Sequence, residues 1–148
     1  EGTRTWKKAV YREEPFDYLI HCGDVEGREI FIEALVDCPC CIVSGNNDFF
    51  SDLPREEIID LAGKKILVTM GHTYGVSGGT DGIVEAAEPE AVGSAVGHTH
   101  YPEIEMQEGI LVINPGSLTF PDREGVKFSY AVMEAEEGKD LQAEIRYL

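Results

Sequence analysis

Two imidazoles stand two residues apart in Gly97-His98-Thr99-His100, directly after the apolar run Ala91-Val92-Gly93-Ser94-Ala95-Val96 and before Tyr101-Pro102. An apolar run closed by such a turn reads as a strand with histidines at its end, and residues i and i+2 of a strand share a face. Both rings can therefore reach one metal centre, or two adjacent ones, and neutral imidazole is the commonest side-chain ligand for transition metals. The competing reading is a pair of solvated turn histidines. Other apolar runs close in the same manner, on Gly23-Asp24, on Ser44-Gly45-Asn46-Asn47-Asp48 and on Met70-Gly71-His72. Taken singly, Asp24 and Asn46 read as turn residues capping backbone amides, and His72 as a partly buried, hydrogen-bonded histidine. Taken together, Asp24, Asn46, His72, His98 and His100 each follow a strand through a glycine-containing turn, and strand ends in one sheet converge in space. Carboxylate, amide oxygen and imidazole are donors suited to Mn²⁺-like ions.

The elements that must position these residues follow from periodicity. Trp6, Ala9 and Val10 recur at helical spacing within Thr3 to Glu14, and Pro15 closes that helix. Phe16 to Cys22 is a short apolar strand ending in Gly23-Asp24. Ile30, Phe31, Ala34 and Leu35 predict a second helix over Gly27 to Val36, followed by the strand Cys40 to Val43. Strands alternating with helices, each closing on glycine and a polar residue, form a parallel sheet with its site at the carboxyl edge. Further on, Ile58 to Leu61 and Lys65 to Thr69 read as a hairpin turning at Ala62-Gly63; the alternative is a short helix opened by Pro54-Arg55-Glu56-Glu57. A helix over Asp81 to Ala87 precedes the His-X-His strand. Ile110 to Ile113 ends at Asn114-Pro115-Gly116-Ser117, and Phe128 to Glu134 and Leu141 to Tyr147 complete an antiparallel tail.

Composition narrows the function classes. At 148 residues, with 43% hydrophobic and 27% charged side chains, the expectation is one soluble domain spanning residues 1–148. Nothing at the N-terminus reads as a charged-then-apolar leader and no apolar run is long enough to span a bilayer, so a cytoplasmic location is expected. The 28 acidic residues against 12 basic ones give a net charge of -16, and without a basic run this excludes stable binding to nucleic acid or to anionic membranes. An anionic substrate would need a local cationic centre, which a bound metal supplies. Cys38-Pro39-Cys40-Cys41 and Cys22 lack paired C-x-x-C spacing. They read as small buried hydrophobes, and disulfides are not expected in the cytoplasm.

In this order and spacing, Gly23-Asp24, Gly45-Asn46-Asn47-Asp48, Gly97-His98-Thr99-His100 and Asn114-Pro115-Gly116-Ser117 resemble the calcineurin-like metallophosphoesterases, in their small bacterial and archaeal phosphodiesterase branch. The resemblance covers essentially the whole chain. It implies an α/β fold, a four-layer α/β/β/α sandwich, and hydrolysis of phosphodiester bonds at a two-metal centre. Mn²⁺ is the first candidate for both ions, with Ni²⁺, Zn²⁺, Fe²⁺ and Mg²⁺ as alternatives. Carried across by position, Asp24 bridges the two metals, Asn46 binds the second and contacts the phosphate, His98 joins the second and His100 the first. Asp48 acts beside Asn46 by bracing the loop or a ligand. The implied substrate is a small phosphodiester and the implied assembly a homo-oligomer, a dimer or larger.

Two positions depart from the family pattern. The family opens with a strand ending in Asp-X-His-Gly that supplies two ligands of the first metal, whereas here Glu1 falls where that histidine belongs; either this sequence begins late, or the protein lacks a central strand and half a metal site. The family also reads His-Gly-His where this chain has Met70-Gly71-His72, and a thioether is a poor ligand for Mn²⁺. His72, one turn position away, is counted with the metal ligands because Gly71 makes that turn permissive. These departures define the alternative function: a metallophosphoesterase-fold module with weak or no catalysis that acts in protein binding, as the related retromer subunit does.

Overall fold

A computed structural model describes residues 2–23, 29–45, 53–69, 91–95, 102–107, 109–118 and 128–148. Helix α1 runs over Gly2–Glu13. It stops where Glu14 precedes Pro15, whose ring disfavours helical backbone in the residue before it. Strand β1 (Leu19–His21), helix α2 (Glu29–Leu35) and strand β2 (Cys40–Ile42) follow. The strand expected over Phe16 to Cys22 is thus reduced to Leu19–His21. Strands β1 and β2 pair in parallel, with Leu19 opposite Cys40 and His21 opposite Ile42. Alternation along this pair divides two cores. Leu19 and Ile42 face Val10 of α1 together with Ile32 and Val36, while Cys41 and Val43 turn the other way, onto Ile59, Ile66, Val68, Leu111 and Ile113. Each of these fully buried aliphatic side chains contributes about 1.5–3 kcal/mol.

The second core lies on a five-stranded sheet of β3 (Glu56–Leu61), β4 (Lys64–Thr69), β5 (Ala91–Ala95), β6 (Glu103–Gln107) and β7 (Ile110–Asn114), in the order β3-β4-β5-β7-β6. Strands β3 and β4 form the expected hairpin. Ala62 and Gly63 both have positive φ, 55° and 81°, the signature of a two-residue turn whose twist matches the strands, and the Asp60 carboxylate accepts the Gly63 N–H at 2.9 Å. The alternative helix at Pro54 to Glu57 does not form, because Glu56 and Glu57 pair with Thr69 and Val68. Strands β4, β5 and β7 run parallel, with β3 and β6 antiparallel at the two edges. Strand β6 was not anticipated, since Glu103, Glu105 and Gln107 leave it only two apolar positions. Gly93 in β5 has no side chain because a β-carbon there would stand 2.5 Å from Cδ2 of Leu141, which packs onto the sheet at that point.

Strands β8 (Ser129–Glu134) and β9 (Gln142–Tyr147) form a closing antiparallel hairpin that sets Ala131, Met133 and Ala143 against the second core. Its outer residues hold α1: Tyr130 Oη and Arg146 Nη1 donate to the Glu13 carboxylate, and Arg12 Nη1 donates to the Tyr147 carbonyl at 2.9 Å. The result is a mixed α/β fold with a central sheet. The helix expected over Asp81 to Ala87 lies outside the described residues, and no helix among those described is long and apolar enough to cross a membrane.

Candidate metal centre

The strands fix where the candidate residues leave the sheets. Parallel pairing puts the carboxyl ends of β1 and β2 on one edge of their pair, and those of β4, β5 and β7 on one edge of the larger sheet. These two edges lie on the same side of the molecule. Just beyond β2, the Ser44 N–H donates to the Pro54 carbonyl at 2.7 Å. Two residues later Glu56 pairs with Thr69, the last residue of β4, and Thr69 Oγ1 reaches the Arg55 carbonyl at 3.5 Å. Asp24, Asn46, His72, His98 and His100 follow the ends of β1, β2, β4 and β5 by three to five residues. These five, with Asp48, Met70 and Glu1, lie outside the described residues.

The described residues at this edge are held by their own hydrogen bonds. Trp6 of α1 stacks on His21 at the end of β1, with ring centroids 5.2 Å apart and planes 9° from parallel. His21 Nδ1 accepts the N–H of Gly23 at 3.1 Å, and Gly23 adopts φ 116°, open to glycine and rarely to other residues. With Nδ1 accepting, a neutral ring carries its proton on Nε2. The sequence reading did not single out His21. A histidine closing a strand two residues before Gly-Asp is the signal that could have found it.

At the end of β7, Asn114 is 7% exposed, and its Oδ1 accepts the Gly116 N–H at 3.0 Å in an Asx turn. Ser129 clamps the same loop from β8, donating its Oγ–H to the Pro115 carbonyl at 2.9 Å and its N–H to the Ser117 carbonyl at 3.0 Å. The Asn114-Pro115-Gly116-Ser117 motif is therefore a turn tied down by Ser129 at the carboxyl end of β7.

The thiols are buried or half-buried packing groups, Cys22 among them although it lies between His21 and Gly23. All four cysteines are free. Burial pushes Cys22 up to about 12. Burial also raises Cys41, which donates its thiol proton to Glu57 Oε2 at 3.0 Å and is raised further by that carboxylate. Burial and then neighbouring charges raise Cys38 and Cys40, from Asp17 and Asp37 at the first and from Cys38 and Glu33 at the second. Protonated thiols are poor ligands and nucleophiles, in keeping with a packing role. Among the described residues no group of three or more His, Cys, Asp or Glu side chains is arranged to hold a metal. The donor set that suits divalent ions is the carboxylate, amide and imidazole set that follows the strand ends.

A family model of the calcineurin-like phosphoesterase superfamily domain matches residues 3–138. A probable metallophosphoesterase of Bacillus subtilis, YsnB, is 36% identical over 133 residues, which is 86% of this chain and 74% of that protein. Among solved structures, Vps29 from Entamoeba histolytica superimposes with a TM-score of 0.76 at 18% identity, over 98% of this chain and 89% of that one. An archaeal phosphodiesterase superimposes with a TM-score of 0.71 at 20% identity, over 97% of this chain and 92% of that one. At these identities the likeness to the two structures is one of fold.

Proposed function

The chain belongs to the calcineurin-like phosphoesterase superfamily, and from that premise we propose that it is a metal-dependent phosphodiesterase acting on a small phosphodiester. The observation that carries the reading is that the carboxyl ends of β1 and β2 and those of β4 and β5 lie on one side, because Asp24, Asn46, His72, His98 and His100 follow those ends within a few residues. Bound divalent ions, Mn²⁺ first among them, would supply positive charge for the phosphate and an acidified water as nucleophile near neutral pH. Asp24 would be the ligand shared by the two ions, His100 would hold the first, and Asn46 and His98 would hold the second. Asn46 also contacts the phosphate. Asp48 braces the Asn46 loop, and His72 supplies the imidazole that Met70 does not. The net charge of -16 repels polyanions in bulk, so a small substrate that reaches the cationic centre is favoured over nucleic acid.

The test is elemental analysis after Mn²⁺ loading and desalting, paired with hydrolysis of an aryl phosphodiester. The expected result is about two ions per chain with turnover, and loss of turnover in Asp24→Ala and in His98→Ala. Full activity in either variant sinks the site assignment. A second reading, a phosphoesterase-fold module that binds proteins with weak or no catalysis, is favoured by Met70 in the slot where the family carries an imidazole. One ion or none, without turnover, selects it.

A further inference from the structure

We propose that His21 is a positioning residue for Asp24, holding the Gly23 turn through which the metal-bridging carboxylate leaves β1. The proposal rests on the reading of Asp24 as a metal ligand. Three contacts place His21 in that role. Its ring is pinned flat against Trp6 of α1, 5.2 Å between centroids. Its Nδ1 accepts the N–H of Gly23 at 3.1 Å, so the first residue of the turn that departs from strand geometry is tied back to the strand's last side chain. Its carbonyl accepts the N–H of Val43 at 3.2 Å, which fixes the end of β1 to the stretch of chain that leads on to Asn46. One residue thus braces the exits toward two of the proposed ligands.

The geometry separates two things that the ring does among the described residues. Stacking on Trp6 buries apolar surface and stabilises the α1–β1 contact, and any flat ring could do it. Accepting from Gly23 requires a lone pair at the Nδ1 position. Gly23, at φ 116°, has the conformational freedom of glycine, so without that acceptor its N–H loses a partner and the turn at Gly23 loses its tie to the strand. Groups that orient metal ligands in this way typically change metal affinity 10–100-fold when removed.

Variants of the purified protein distinguish the roles. His21→Phe keeps a ring for Trp6 and removes the acceptor. His21→Asn places Oδ1 where Nδ1 stood and gives up the stack. His21→Gln removes the acceptor from that position with a polar side chain, and carries the comparison if the Phe variant does not fold. Mn²⁺ binding, followed by the electron paramagnetic resonance signal of the free ion, should weaken about tenfold or more in His21→Phe and His21→Gln, and stay within about threefold of the parent in His21→Asn. The melting temperature should run in the other order, with His21→Phe nearer the parent than His21→Asn. Parent-like Mn²⁺ affinity in the Phe and Gln variants, or equal weakening in all three, overturns the role of His21 while leaving the metal centre standing. A parent that binds no Mn²⁺ overturns the metal centre and this proposal together.

Discussion

A β-carbon on Gly116 would stand 2.0 Å from the Oγ of Ser129 and 3.3 Å from Cβ and Cδ of Pro102. Gly116 also has φ 79°, so a side chain there is strained as well as crowded. Ser129 cannot retreat cheaply, because its Oγ is bonded to the Pro115 carbonyl and its N–H to the Ser117 carbonyl. Gly116→Ala should therefore destabilise the protein by roughly 2–4 kcal/mol, read from urea unfolding. A loss under about 0.5 kcal/mol, the range of an ordinary surface change, would mean that the turn is looser than the Ser129 clamp implies.

Glu13 joins α1 to the closing hairpin, and its titration sets an acid limit on that joint. Burial alone would raise its carboxyl, but hydrogen bonds from Tyr130 and Arg146, together with the charges of Arg146 and Arg12, outweigh burial and hold it below the ordinary carboxylate value. A carboxylate depressed in the folded state contributes stability that is complete above its unfolded pKa, about 4.3, and is lost as pH falls through its lower folded value. Unfolding free energy should fall as pH drops below roughly 5, and Glu13→Gln should flatten that slope. Tyr130, raised to about 12 by burial and then by Glu13, remains a donor throughout, and Tyr130→Phe should cost about 1–2 kcal/mol at neutral pH. An unchanged acid slope in Glu13→Gln would assign acid sensitivity to other carboxylates.

Period-two alternation and turn chemistry made most of these elements readable from residues alone. Ala62-Gly63 marked a hairpin between two apolar runs, and alternation along β2 sends Cys40 and Cys41 to different cores. Strand β6 escaped because an edge strand can be charged at alternate positions and still pair, as Glu103 and Glu105 do with Asn114 and Val112. Sheet order is equally hidden, since β5 pairs directly with β7 although β6 comes between them in sequence, and nothing local encodes that choice. The candidate ligands were readable as polar residues closing apolar runs. The contribution of His21 was not, because its partners are the ring of Trp6, far back along the chain, and a backbone N–H that carries no residue signature.

Ser94 offers a test of the central sheet. It is fully buried in β5, level with Leu67 of β4 and Val112 of β7, and its Oγ has no hydrogen-bond partner among the described residues. A buried hydroxyl without a partner carries a desolvation cost that alanine does not. Ser94→Ala should raise the unfolding free energy by about 1 kcal/mol. A clear loss of stability in thermal unfolding would show that the hydroxyl is satisfied in solution.

The thiols should report burial directly. Thiolate is the reactive form, and the raised values at Cys22, Cys41, Cys38 and Cys40 leave little of it at pH 8. With a disulfide reagent at that pH, the half-buried Cys38 and Cys40 should react slowly, and the buried Cys22 and Cys41 only after denaturant is added. Rapid reaction at Cys41 in the native protein would mean that its bond to Glu57 is not maintained.

Met70 is the position at which one substitution tests the metal centre by gain rather than loss. It follows Thr69, which ends β4 only 3% exposed, with Oγ1 set against the Arg55 carbonyl, so the backbone enters this turn from a fixed point. A thioether is a soft donor poorly matched to Mn²⁺, and imidazole suits that ion better. Met70→His should therefore tighten Mn²⁺ binding by about tenfold, on the scale by which ligand-shell changes usually act, and raise turnover of an aryl phosphodiester with it. Tighter binding without faster hydrolysis would separate metal retention from catalysis at this centre. Unchanged affinity would mean that His72 already supplies the imidazole from the same turn, and His72→Ala would then cost the affinity that Met70→His failed to add.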